Sequence, residues 1–158
     1  MTTLSPMSRK AYAQYLKRAV VEYAEDNISS GRWPRAGALK RSKAAYAELL
    51  PRGVNTPDHY LFEVKEVSES KTVGMLWVSI ASRNGLRSAF VYDVFIDRKF
   101  RKKGHATSAF KALEQIVREH GVTSIGLHVF SFNAAARALY EKLGYAATGT
   151  NMIKHLRG

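Results

Sequence analysis

The sequence predicts one mixed α/β domain of the α+β kind over residues 1–158, a mostly antiparallel sheet with about four flanking helices. Three observations carry that expectation. Apolar residues recur at helical spacing early in the chain, alternate at strand spacing through its middle, and return to the helical period after Gly104. A chain of 158 residues is long enough for one sizeable core and short for two. The order of elements is strand, two helices, three strands, helix, strand, helix, strand, which suits helices packed on one sheet and does not suit a doubly wound fold.

Residues 2–6 read as an edge strand, where Pro6 is tolerated because it has no N–H to give to a ladder. Ser8 is an N-cap, and Tyr12, Tyr15, Leu16, Ala19, Val20 and Tyr23 follow at intervals of three and four, the mark of an amphipathic helix. SSGRWPRAG breaks it, and a second helix runs from about Ala38 to Leu50 before Pro51 and Gly53 stop it. LFEVKEV, TVGMLWVSIAS and SAFVYDVFID, separated by SESK and RNGLR, read as consecutive antiparallel strands. Ala106, Ala109, Phe110, Leu113, Ile116 and Val117 restore the helical period up to Gly121. SIGLHVF is a strand, AAARALYEKLG a short helix ended by Gly144, and YAATGTNMIKHL a last strand or hairpin.

Charge is the unusual part of the composition: 25 Lys and Arg against 13 Asp and Glu give a net +12. A field of that sign draws in an anionic cofactor, an anionic substrate or RNA, and opposes a polyamine or aminoglycoside. The absence of cysteine excludes disulfides, thiolate metal sites and a cysteine nucleophile. His59 and His120 lack metal-like company, so no metal site is expected. MTTLSPMSRKAY has no apolar leader core, and no stretch approaches the roughly 18 apolar residues of a membrane span. The expectation is a cytoplasmic monomer or homodimer with no membrane partner.

The densest charge lies in DRKFRKKGHATSAF, where Arg98, Lys99, Arg101, Lys102 and Lys103 crowd a strand-to-helix turn. Such a turn presents unpaired amides at the positive end of a helix, and Gly104 lets a ligand come close to the backbone. Small Ala106 and Thr107 leave space beside it. Taken alone, a basic helix start is more often a solvated surface that opposes the dipole. The spacing Arg101-x-x-Gly104-x-Ala106 after a strand, followed by NAAARALYEKLGY with Asn133 and Tyr140, changes that balance. On these two blocks and the order of elements, the chain resembles the GNAT superfamily of N-acetyltransferases, and its LLPRGVNTPDH stretch looks like an uncharacterised bacterial branch of it.

The resemblance implies acetyl-CoA as co-substrate, lying where two parallel strands, ending at Ile96 and Phe130, splay apart. It implies that the amides and side chains of Arg101, Lys103, Gly104, His105 and Ala106 hold the pyrophosphate, with a hydroxyl from Thr107. Phe95 and Ile96 then pair through their backbone with the pantetheine arm, and Asn133 contacts a pantetheine amide besides being a plain N-cap. Many members carry glycine where Lys102 stands. The same resemblance makes Tyr140 the general acid toward the departing thiolate; by spacing alone it is a helix aromatic packed on a sheet.

Transfer to an amine needs a neutral nucleophile, oxyanion stabilisation and a competent leaving group. An α-amine, with a pKa of about 7.7 to 8.0, is partly neutral already, while a lysine near 10.4 needs more help. Asp93 is the candidate base. Strict alternation in AFVYDVFID puts it on the face of Val91 and Phe95, where an unpaired carboxylate is costly, and a bulge would shift that facing by one. A structural acceptor for a loop amide is an equal reading. His128 is a second candidate near the cleft. Trp33 and Arg52, on the loops around the first two helices, are candidate contacts to the acceptor, a small molecule or peptide.

The expected function is direct transfer of acetyl to a primary amine in a ternary complex. Two rivals use the same charge differently: an N-acetyltransferase of aminoacyl-tRNA, and a non-catalytic nucleic-acid-binding protein with FRKKGH as its phosphate loop. A fold that binds CoA only as a regulatory module is a further one.

Overall fold

Alternation in the middle of the chain becomes a five-stranded sheet of order β1-β2-β3-β4-β5: β1 (Thr2–Pro6), β2 (His59–Glu66), β3 (Lys71–Arg83), β4 (Leu86–Ile96) and β5 (Ser124–Leu127). β1 through β4 pair antiparallel, and β4 pairs parallel with β5. The computed structural model describes residues 1–156, in two units that divide after Leu127.

In the first unit, β1 takes the sheet edge and ends at Pro6, the position where a missing N–H costs no ladder bond. Ser8 caps α1 (Arg9–Ser29) by accepting from the Ala11 amide, and α2 (Ala38–Leu49) follows. Both cover one face of the sheet: Met7, Tyr15, Ala19, Val20, Tyr46 and Leu50 pack on Leu61, Met75 and Trp77. The alternate strand residues Val64, Leu76 and Val78 point the other way and are fully buried, on the side of α3 (His105–Glu119), which buries Ala109, Phe110, Leu113 and Val117.

Gly74 is required by a close approach. A Cβ there would lie 2.0 Å from the Phe95 carbonyl oxygen, so β3 and β4 keep their spacing at this point only with glycine.

β4 carries a bulge. Val78 pairs with Val91 and Trp77 pairs with Asp93, which leaves Tyr92 as the extra residue. Strict alternation therefore fails here. Asp93 keeps the face of Phe95, but Val91 turns to the opposite side, so the expected grouping of Asp93 with Val91 is corrected. Parallel pairing with β5 runs from Ser88 with Ser124 to Val91 with Leu127 and stops at the bulge, where the extra residue disrupts the ladder. The strand expected to reach Phe130 thus ends at Leu127.

In the second unit, Asn133 accepts from the Ala136 amide and caps α4 (Ala134–Lys142); the chain turns at Gly144 with φ +98°. The last strand expected in YAATGTNMIKHL is absent among the described residues. Glycine, threonine and asparagine interrupt its alternation, and Met152, Ile153 and Leu156 are exposed. No helix of the described residues is long and apolar enough to cross a membrane.

Candidate active site

β4 leads through a 3-10 turn at Arg98–Phe100 into the basic loop and then α3. Gly104 is the N-cap residue of α3, left-handed at φ +81°, with nothing within 4 Å of where a Cβ would stand. Lys102 is also left-handed, at φ +64°, a conformation that costs a side-chain-bearing residue and suits glycine. Lys102 thus follows a backbone path that glycine takes without cost. The first intrahelical bond runs from the Ser108 amide to the Gly104 carbonyl, so the amides of His105, Ala106 and Thr107 open the helix with no partner in it. Lys102 and Lys103 stand exposed beside them. An anionic diphosphate group fits this junction: donors, positive charge and unfilled space coincide.

Two side chains expected in the cradle are committed elsewhere. His105 is buried; its Nδ1 shares a 3.0 Å hydrogen bond with the Thr2 hydroxyl and lies 3.9 Å from Glu66, so only its backbone faces the loop. Arg101 folds back along β4: its Nε donates to the Ile96 carbonyl at 2.8 Å, and its guanidinium lies 5.2 Å from the Phe95 ring centre.

Asp93 comes next to the α1–α2 layer. The Tyr15 hydroxyl donates to its Oδ2 at 2.7 Å. Burial raises the Asp93 pKa, against the lowering effects of the Tyr15 hydrogen bond, the Arg18 guanidinium and the Val94 amide. Tyr15 is shifted far upward, first by burial and then by the charge of Asp93. Tyr46 is raised by the same two causes. Burial and Asp93 also push up Asp26, and burial pushes up Glu22, which lies in the fields of Arg18, Asp93 and Arg101. Three carboxyls, Asp93, Glu22 and Asp26, thus share this face with Arg18.

Arg18 stacks on Phe95, 3.9 Å from its centre, and its buried Nη1 has no hydrogen-bond partner among the described residues. Beside it a cleft of about 220 Å³ runs between α1 and the strands, lined by Gln14, Tyr15, Arg18, Glu63, Phe95 and Asp97 among others.

Aromatic rings continue from there. Trp33 meets Tyr23 edge-on at 5.5 Å, Tyr23 meets Tyr46 at 5.9 Å, Tyr46 meets Trp77 at 5.8 Å, and Trp77 stacks on exposed Tyr92 at 4.5 Å. Trp33 is thereby tied to the layer holding Asp93. Trp77 donates through Nε1 to Nδ1 of His59 at 2.9 Å, which fixes that ring as the neutral Nε2–H tautomer; burial holds its pKa below the usual value. Arg52 stands exposed on the turn after α2; its backbone amide donates to the Thr56 hydroxyl at 3.1 Å and its carbonyl accepts from the Asn55 amide at 3.0 Å.

The second unit holds the remaining expected residues. His128 is exposed and edge-on to Phe130 at 5.0 Å, Asn133 acts as the α4 cap, and Tyr140 is half-buried with its ring 5.9 Å from Tyr145. Among the described residues no group of three or more His, Cys, Asp or Glu is placed to hold a metal ion.

Sequence reasoning missed Tyr15, Arg18, Tyr46 and Trp77 as site residues. For Tyr15 and Tyr46 a signal existed: a tyrosine on the buried stripe of a helix needs a partner for its hydroxyl, where leucine or phenylalanine does not.

Comparison with known proteins agrees with this architecture. The acetyltransferase (GNAT) family pattern matches residues 26–145. The N-acetyltransferase YycN of Bacillus subtilis (strain 168) is 37% identical over 153 residues, 97% of each chain, and YdgE of the same organism is 32% identical over 98% of each. The crystal structure of YycN superposes with a TM-score of 0.93 over the full length of both chains, at 35% identity. An acetyl transferase structure from Pyrococcus furiosus, at 22% identity, covers 99% of this chain and all of its own with a TM-score of 0.70 and shares the fold. This chain belongs to the acetyltransferase (GNAT) family and is an N-acetyltransferase.

Proposed function

We propose that the enzyme moves acetyl from acetyl-CoA directly to a primary amine in a ternary complex. The observation that carries this reading is the junction after β4: left-handed, unfilled Gly104 opening α3 beside the stretch of β4 that β5 leaves unpaired. The amides of Gly104, His105, Ala106 and Thr107, with Lys103 and the Thr107 hydroxyl, hold the diphosphate. The backbone of Phe95 and Ile96 aligns the pantetheine arm. Bound acetyl-CoA supplies an activated thioester. Asp93 takes a proton from the acceptor's ammonium, and Trp33, Arg52 and His128 are assigned to the acceptor. Asn133 and Tyr140 are assigned from their motif, as pantetheine contact and general acid. No cysteine is present to carry the acetyl group.

Calorimetric titration with acetyl-CoA tests the reading. The wild type is expected to bind at micromolar affinity, about −8 kcal/mol, and Gly104→Glu to lose binding because a carboxylate occupies the diphosphate position. Gly104→Asn, neutral and tolerant of the left-handed backbone, is expected to keep most of it. Absence of binding by the wild type overturns the proposal.

Tyr140→Phe is expected to slow transfer by less than about 100-fold. A thiol of pKa near 8.5 leaves without full protonation, so complete loss would show that Tyr140 does more than protonate it. Steady-state thiol release measures this.

The net charge of +12 suits an anionic acceptor, aminoacyl-tRNA among them. Turnover on such a substrate is expected to fall steeply with salt, and turnover on a small metabolite to be nearly indifferent to it.

A further inference from the structure

Tyr15 enters the core from α1 where a phenylalanine would fill the same volume. It is 4% exposed, and its hydroxyl makes a contact that a phenylalanine lacks, the 2.7 Å bond to Asp93 Oδ2. We propose that Tyr15 is a positioning residue for acetyl transfer, holding the Asp93 carboxyl in place and in its ionised form, an assignment that rests on Asp93 being the base.

Burial disfavours a charged Asp93, and a donated hydrogen bond favours it. Of the groups facing Asp93, Arg18 of α1 assists ionisation, while Glu22 and Asp26 of α1 oppose it by like charge; Tyr46 of α2 shares the field. Because the Tyr15 phenol is shifted far upward, it stays the donor wherever Asp93 is ionised, and the proton order within the pair is fixed. With Oδ2 held by Tyr15, the remaining lone pairs of the carboxylate accept the acceptor's proton: an N–H bond of the ammonium breaks and an O–H bond forms on Asp93.

Carbon-13 NMR titration of the Asp93 carboxyl, assigned by its disappearance in Asp93→Asn, tests this without an acceptor. In Tyr15→Phe the midpoint is expected to rise by about one to two pH units, the worth of one hydrogen bond to a charged group. An unmoved midpoint overturns the proposal. If Tyr15→Phe does not fold, site-specific 3-fluorotyrosine at position 15, a stronger donor of nearly equal size, is expected to lower the midpoint instead, and no change there overturns it as well. Thiol release from acetyl-CoA, with peptides bearing a free α-amine, gives the kinetic arm. Tyr15→Phe lowers kcat, leaves KM for acetyl-CoA unchanged, and adds nothing in the Asp93→Asn background. Additive losses overturn the proposal. Wild-type turnover by Asp93→Asn overturns the base reading itself, whereas an inactive Asp93→Asn with an unmoved midpoint in Tyr15→Phe overturns only the role of Tyr15.

Discussion

Replacing Asp93 by Asn is expected to lower kcat/KM for acetyl transfer by about 100-fold or more, the usual worth of a positioned base, with acetyl-CoA affinity unchanged. Asn keeps the shape and an acceptor for the Tyr15 hydroxyl, so the loss reads on proton transfer and not on packing. A second measurement reports the burial of the Asp93 carboxyl itself. Asp93, Glu22 and Asp26 all bind their protons more tightly in the folded chain, since burial raises each pKa. Such a group contributes stability that is present below its unfolded pKa, about 4, and is lost as pH rises through its raised folded value. Wild-type thermal unfolding is therefore expected to show a stability contribution that declines as pH rises above about 4, and the decline is expected to be shallower in Asp93→Asn. Glu66, held at about 2 chiefly by the hydrogen bond from the Met1 ammonium, acts in the opposite sense below that window. A decline of equal slope in the variant would show that Asp93 is not among the groups responsible.

Gly74→Ala is expected to cost about 3 kcal/mol, near the upper end for overpacking. The added Cβ meets backbone, the Phe95 carbonyl at 2.0 Å and the Ile96 Cα at 3.0 Å; the Ile96 Cδ1, also at 3.0 Å, can give way, but the carbonyl cannot. β3 and β4 must part where Phe95 and Ile96 lie, so acetyl-CoA affinity is expected to fall together with stability. Urea unfolding and calorimetry measure the two. Wild-type stability in this variant would mean that the strands have slack at this point.

Both predictions turn on β4, the element whose sequence is least transparent. Its composition marks it as a strand, and Asp93 is visible in AFVYDVFID as a carboxylate on an apolar face. The bulge at Tyr92 is not visible, because it follows from fitting Trp77 opposite Asp93 and Val78 opposite Val91, a relation between distant segments. That one extra residue sends Val91 to the α3 side and leaves Asp93 with Tyr15.

What the sequence by itself determined is local. Ser8 caps α1, Asn133 caps α4, and the helices and first four strands begin and end close to where periodicity and breakers put them. The basic loop with Gly104 was legible for the same reason: a turn's backbone conformation and a helix's free amides are set by neighbouring residues. Tertiary structure decided which side chains are free to act. His105 and Arg101 read as phosphate ligands in a linear motif, yet His105 is bonded to Thr2 and Arg101 to the Ile96 carbonyl. Tyr15 and Arg18 read as one turn of an amphipathic helix, yet they set the charge and burial around Asp93. A side chain's partner and the water it loses depend on segments far away in the chain, and those are brought together only by the packed fold.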